Sequence, residues 1–204
     1  NGGGAYAVGE QGIAYSERKS GAEWLAQKAG ANTCADGGQE MRQLAGQPGL
    51  RFADLRFDPM GRGLLAVRED HQHDPAEPQA ALVVLACTAK TGQAAAQGVI
   101  LASGADFYAA PAVSPDGQLL AWLEWSHPFM PWEATRLCGA RLERTPSGTI
   151  TGLGTPYVLA GGAGHVSVLP PRWTAGGHTE LATPGHKDVL RHESLGHIVF
   201  WLSL

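Results

Sequence analysis

Residues Ser114–Trp125 read SPDGQLLAWLEW. A Ser-Pro-Asp-Gly turn leads into Leu119, Leu120, Ala121, Trp122 and Leu123, a run with no polar residue for either face. Pro115 presets φ at the second turn position, and Gly117 at the fourth takes a left-handed conformation that most residues avoid. A type I turn followed by such a glycine closes a tight hairpin with a bulge. A strand with one wet face alternates polar and apolar residues. This one does not, so it is expected to be covered on both sides.

The pattern has an echo upstream. Residues 57–69 read FDPMGRGLLAVRE, with Pro59 and Gly61 each 56 residues before Pro115 and Gly117. Leu64-Leu65-Ala66 stands in for Leu119-Leu120-Ala121. A degraded third copy starts at PPRWTAGG, where Ala175 replaces the proline and Gly177 lies 60 residues beyond Gly117. A fainter one is YAVGEQGIAYS, Tyr6 to Ser16. Four short strand signals recur per unit. In the second unit they fall at Asp54–Phe57, Leu64–Arg68, Ala81–Cys87 and Val99–Ala102. In the third they fall at Ala110–Val113, Leu119–Trp125, Thr135–Leu142 and Thr155–Ala160. One segment, Ala22–Ala29, has helical character, and a strand competes for it.

Four strands repeated at this period mark an all-β fold, a β-propeller of four-stranded antiparallel blades. A β-sandwich is the structural rival, but it does not require turn chemistry at a fixed spacing. The units run roughly 1–50, 51–104, 105–162 and 163–204, in one domain. Three to four such blades fall short of the usual closed ring, so a partial, unclosed propeller is expected. Its open blade edges and faces predict self-association.

Composition agrees. Of 204 residues, 44% are hydrophobic and 17% charged, which is globular rather than disordered. The 28 glycines and 13 prolines suit many turns. A net charge of -4 without a basic stripe makes nucleic acid a poor choice of partner. No apolar run is long enough for a membrane helix. The cysteines, Cys34, Cys87 and Cys138, are scattered and odd in number. That reads as buried thiols in a reducing, cytoplasmic setting, neither a disulfide framework nor a zinc ribbon. The Asn-Gly-Gly-Gly start and the apolar final stretch read as the ends of a fragment.

Three segments carry a family likeness: GGGAYAV (Gly2–Val8), RFADLRFDPMGRGLLAVREDH (Arg51–His71) and ASGADFYAAPAVSPDGQLLAWLEWSHPFMPWEATRL (Ala102–Leu137). Together they resemble the N-terminal propeller of bacterial serine peptidases of the prolyl oligopeptidase family, the dipeptidyl-peptidase and acylaminoacyl-peptidase-like members. The likeness covers roughly residues 1–173 and is densest from Asp106 through Trp132. It implies a non-catalytic propeller that gates and selects peptides for an α/β-hydrolase domain carrying a Ser-Asp-His triad. That catalytic domain is absent from this sequence. After Trp173 the sequence departs from the family pattern, becoming rich in histidine and poor in blade signals.

No catalytic residue, cofactor or metal is assigned within the chain. His192-Glu193-Ser194-Leu195-Gly196 lacks the first glycine of a nucleophile elbow, and too few residues follow it for an acid and a base. His192 and His197 are spaced i+5, which on a helix points their rings about 140° apart rather than at one metal. His71 and His73 belong to a proline-flanked polar loop. Trp122 and Trp173 read as packing residues.

The segment EWSHPFMPWEAT, Glu124 to Thr135, is the candidate for function. It is too long for a tight turn and crowds aromatic residues after a buried strand. It is expected either to clasp the neighbouring blade or to face substrate at the channel mouth. Glu124, Trp125, His127, Trp132 and Glu133 are the candidate substrate-binding residues. Glu124 or Glu133 would meet the free amino terminus of a peptide in a shielded channel. The functional rival is a stand-alone TolB-like propeller that binds a protein partner. A lactonase-type metal propeller would require a recurring inward acid, and none recurs.

Overall fold

A computed structural model describes residues 4–28, 39–87, 97–162, 167–168, 170–173 and 202–203. Outside that set lie Cys34, the end of the Ala22–Ala29 segment, the 192–197 stretch and most of the fourth unit.

The described chain is all-β, in successive antiparallel sheets. The first is β1 (Tyr6–Gly9), β2 (Gly12–Ser16), β3 (Glu23–Lys28) and β4 (Gln39–Ala45), paired in that order. The second is β5 (Leu50–Phe57), β6 (Gly63–Asp70), β7 (Gln79–Ala86) and β8 (Val99–Ser103). The third is β9 (Phe107–Val113), β10 (Leu119–Trp125) and β11 (Arg136–Arg144), with β12 (Ile150–Leu153) and β13 (Tyr157–Gly161) both on the far side of β11. Two short strands, β14 (Ser167–Val168) and β15 (Leu202–Ser203), pair with each other. The first strands sit side by side, β1 against β5 and β5 against β9. This is an unclosed propeller arc whose innermost strands form its concave wall.

Alternation along the central strands builds the blade interfaces. On β6, Leu64 and Ala66 face the first blade while Leu65 and Val67 face the third. On β10, Leu120 and Trp122 pack toward the second blade, whereas Ala121 and Leu123 pack outward with Leu137 and Val168. Leu120 and Ala121 are both fully buried, which accounts for a run that carries no polar face. Trp173 covers the outward cluster and donates its indole N–H to the Ala112 carbonyl at 3.0 Å. Among the described residues, the outer face of the first blade is partly exposed. Rows Tyr6–Tyr15–Trp24 and Val8–Ile13–Ala26–Met41 align across it, and Tyr6 and Val8 are 64% and 69% exposed.

The repeated turns form as their chemistry requires. In the third blade the Ser114 Oγ accepts from the Leu119 N–H at 2.9 Å, and the Gly117 N–H donates to the Ser114 carbonyl at 2.8 Å. The Ser114 hydroxyl in turn donates to the Asp116 carboxylate, holding its pKa below the ordinary value. Gly61 and Gly117 both have φ of 72°. A Cβ at Gly117 would also come within 2.9 Å of the flexible Met60 side chain. Gly117→Ala is therefore expected to cost roughly 1–2 kcal/mol, mostly backbone strain, read as a lower urea midpoint.

Several expectations are sharpened. Ala22–Ala29 resolves as strand over Glu23–Lys28, not helix, because Leu25 is needed in the first interface. The first strand of the second blade begins at Leu50, four residues before the expected start at Asp54. Asp54 itself has φ of 56°, and the register shifts there, which breaks the alternation seen in the sequence. Ala110, 56 residues on, repeats this feature with φ of 51°. The two are joined, the Ala110 N–H donating to the Asp54 carboxylate at 2.5 Å. The expected fourth strand at Thr155–Ala160 corresponds to β13, but β12 was not anticipated. At nine residues, β11 pairs with β13 along its first half and β12 along its second.

Candidate functional site

The β6–β7 loop, the β8–β9 connection and the β10–β11 loop lie on one rim of the arc. They enclose a cleft of about 640 Å³ between the second and third blades. Glu69, Glu77, Ser103, Asp106, Phe107 and His127 are among its walls.

The rim is organised around Phe107. Antiparallel pairing of β9 with β10 sets Phe107 opposite Trp125. Their rings stack at 5.3 Å and 17°, and the His127 ring meets Phe107 edge-on at 5.0 Å. The His127 N–H donates to the Asp106 carboxylate at 2.9 Å, and the Asp106 N–H donates to the Ser126 hydroxyl at 3.2 Å. These contacts fasten the start of the long loop to the blade. The peptide between His127 and Pro128 is cis. Farther along, the Met130 N–H donates to Glu133 Oε2 at 2.8 Å, and the Glu133 N–H returns to the Met130 carbonyl at 2.9 Å. The Thr135 hydroxyl closes the loop on the Pro131 carbonyl.

The five expected site residues are thus separated by role. Trp125 stacks behind the cleft and His127 lines it. Trp132 projects outward, 65% exposed, with Phe129 and Met130 half exposed beside it. Glu133 caps its own turn through one oxygen. Glu124 is committed inside the blade, accepting from the Trp122 indole at 2.9 Å and pairing with Arg136 at 2.8 Å. Burial, with the Glu124 carboxylate nearby, pushes the Cys138 thiol up to about 12. The thiol of Cys87 is likewise raised to about 11 by burial. Neither is a ready thiolate at neutral pH.

Sequence reasoning passed over Phe107, Asp106 and Glu77 as site residues. Asp106 and Phe107 stand at the head of the densest family-like segment, but no local pattern reveals that Phe107 pairs with Trp125. The polar loop holding His71 and His73 is the β6–β7 rim loop, where His71 bonds Glu69 at 3.3 Å and approaches the Pro75 carbonyl at 3.4 Å.

Solved structures of similar shape include puromycin-hydrolyzing peptidases. A puromycin-hydrolyzing peptidase of Mycobacterium tuberculosis shares 28% identity and a TM-score of 0.63, over 82% of this chain and 25% of its own. A puromycin hydrolase matches at 24% identity and TM-score 0.65, over 84% of this chain and 26% of its own. A mutant puromycin hydrolase complexed with PGG matches at 23% and 0.68, over 85% and 26%. The chain therefore spans about a quarter of the length of the proteins it matches. No family model and no curated protein matches it. The likeness to the propeller of prolyl oligopeptidase-family peptidases holds in the architecture and, for the mycobacterial enzyme, reaches into the sequence.

Proposed function

We propose that this partial propeller, of the kind carried by prolyl oligopeptidase-family peptidases, is the non-catalytic, substrate-selecting portion of a serine peptidase. The observation that carries this is the 28% identical match to a puromycin-hydrolyzing peptidase over 82% of the chain. The bond-breaking chemistry is assigned to a hydrolase domain outside these 204 residues. The rim loop from Ser126 to Ala134 supplies the selecting surface. Phe129, Met130 and Trp132 offer exposed apolar contacts to a peptide side chain. Glu133 keeps one carboxylate oxygen beyond its cap, suited to a free amino terminus. Glu124 serves instead to brace the rim through Trp122 and Arg136. An amino-terminal exopeptidase of the dipeptidyl or acylaminoacyl type is the finer assignment.

The test belongs in the full-length parent enzyme. Glu133→Gln is expected to raise KM for unblocked peptides by roughly tenfold, with kcat nearly unchanged and N-acetylated peptides unaffected. Trp132→Ala is expected to raise KM for both. An unchanged KM in both variants removes the rim from substrate selection. A parent with no hydrolysis of any peptide overturns the peptidase assignment itself.

A further inference from the structure

The concave wall carries a second cleft, on the innermost strands rather than the rim. It measures about 310 Å³ and lies where β5, β9 and residues 170–173 meet. Arg56 and Phe57 wall one side, Arg172 and Trp173 the other, and Ala112 lies between them.

These positions are equivalent in the repeat. Arg56, Ala112 and Arg172 follow one another at spacings of 56 and 60, the spacings that separate Gly61, Gly117 and Gly177. Phe57, Val113 and Trp173 are the residues just after them. Thus one inner-strand position holds arginine in the second unit, alanine in the third and arginine in the fourth. The small residue in the middle leaves open the space that the two cations flank.

Neither arginine is consumed by the fold. Arg56 gives one N–H to the adjacent Leu55 carbonyl at 3.2 Å. The Arg172 side chain has no hydrogen bond or ion pair among the described residues. The carboxylate of Asp54, two residues along β5, is turned to the Ala110 N–H and forms an ion pair with neither. By contrast, Arg144 gives four N–H bonds, to a carboxylate and two carbonyls. Two guanidinium groups left with open donors across a concave gap present a fork geometry that matches a carboxylate.

We propose that this cleft is a carboxylate-binding site, in which Arg56 and Arg172 grip the carboxylate of a peptide from opposite sides. That the ligand is a peptide rests on the peptidase assignment; the cation pair does not. On the concave wall, such a site would hold the acidic end of a peptide away from the rim.

The experiment titrates the 204-residue chain by calorimetry at low ionic strength with acetyl-trialanine as free acid, with its amide, and with acetate. The free acid is expected to bind, with the amide and acetate roughly tenfold to a hundredfold weaker. Arg56→Gln and Arg172→Gln are each expected to weaken the free acid by about tenfold. Arg18→Gln, in the β2–β3 loop, is expected to leave it unchanged. Melting curves check that the variants fold, and Arg172→Lys, which keeps charge without the fork, should fall between. Equal binding of acid and amide, binding insensitive to both arginines, or no binding at all overturns the site. Acetate as tight as the peptide reduces it to an adventitious anion site and also overturns the proposal. Binding of the acid by this chain, together with a parent that hydrolyses no peptide, leaves the cleft standing and removes only the peptidase assignment.

Discussion

Arg144→Ala is expected to lower the stability of the chain by about 3–5 kcal/mol, seen as a large drop in the urea midpoint. Arg144 ends β11 and reaches back to Asp58 in the β5–β6 turn, 86 residues earlier, with bonds of 2.7 and 2.9 Å. Two further N–H groups reach the Gly117 and Gly148 carbonyls, each at 2.7 Å. One side chain therefore ties a turn of the second blade to two turns of the third. The Asp58 side chain is 0% exposed. Truncating the arginine strands a carboxylate in the interior, and that desolvation, rather than the lost attraction, supplies most of the cost. Arg144→Met combined with Asp58→Asn removes both charges and should cost markedly less than Arg144→Ala alone. A double variant as unstable as the single one would mean that the shape of the arginine matters more than the charge it neutralises.

The stability of the chain is expected to fall by about 3 kcal/mol between pH 4.5 and pH 8, through Glu23, with Glu23→Gln losing that slope. Glu23 is fully buried in β3, and burial raises its carboxyl to about 7, against a partial lowering by the Ser16 hydroxyl. Oε1 lies 2.5 Å from Ser16 Oγ, and Oε2 has no partner among the described residues. Ser16 Oγ also lies 3.0 Å from the Phe52 carbonyl. One hydroxyl hydrogen cannot serve both acceptors. The arrangement is satisfied when Glu23 is neutral and donates to Ser16, while Ser16 donates to Phe52. Below the unfolded carboxyl value of 4.5 both states hold the proton. Between there and about 7 only the folded state keeps it, so stability declines as pH rises. Above that range the folded chain carries a buried anion and the loss is complete. Paired denaturation curves at pH 5 and pH 8 measure the slope. A wild-type chain no more pH-sensitive than Glu23→Gln would refute the assignment.

The blade plan was legible because turn and strand signals recur together. Pro-x-Gly fixed the hairpins, and Leu119–Leu123 gave away a strand covered on both faces. What the repeat hid was divergence at equivalent positions. Asp58 and Ser114 look alike as small polar turn openers. Yet Ser114 secures its own turn, while Asp58 spends its carboxylate on Arg144. Pairing at that distance leaves no local trace. The left-handed residues Asp54 and Ala110 were equally hidden, since aspartate adopts positive φ only in a minority of cases and alanine more rarely still. At the rim, the aromatic loop was visible but its anchor was not, because Phe107 and Trp125 meet only through the β9–β10 register. Glu124 was expected to face substrate; its alternation along β10 places it beside Arg136 and Trp122.

The partly exposed outer face of the first blade has a thermodynamic consequence. Among the described strands the principal contacts run between neighbouring blades, so the arc behaves as a short one-dimensional array. Among the described residues the second blade is coupled on both sides and the first on one, with Tyr6 and Val8 in solvent. Unfolding in such an array frays from the weakly coupled end, and the central blade opens last. Cooperativity then becomes a property of how many neighbours a blade has, and any molecule that covers the Tyr6–Val8 face would convert the frayed end into an interior one.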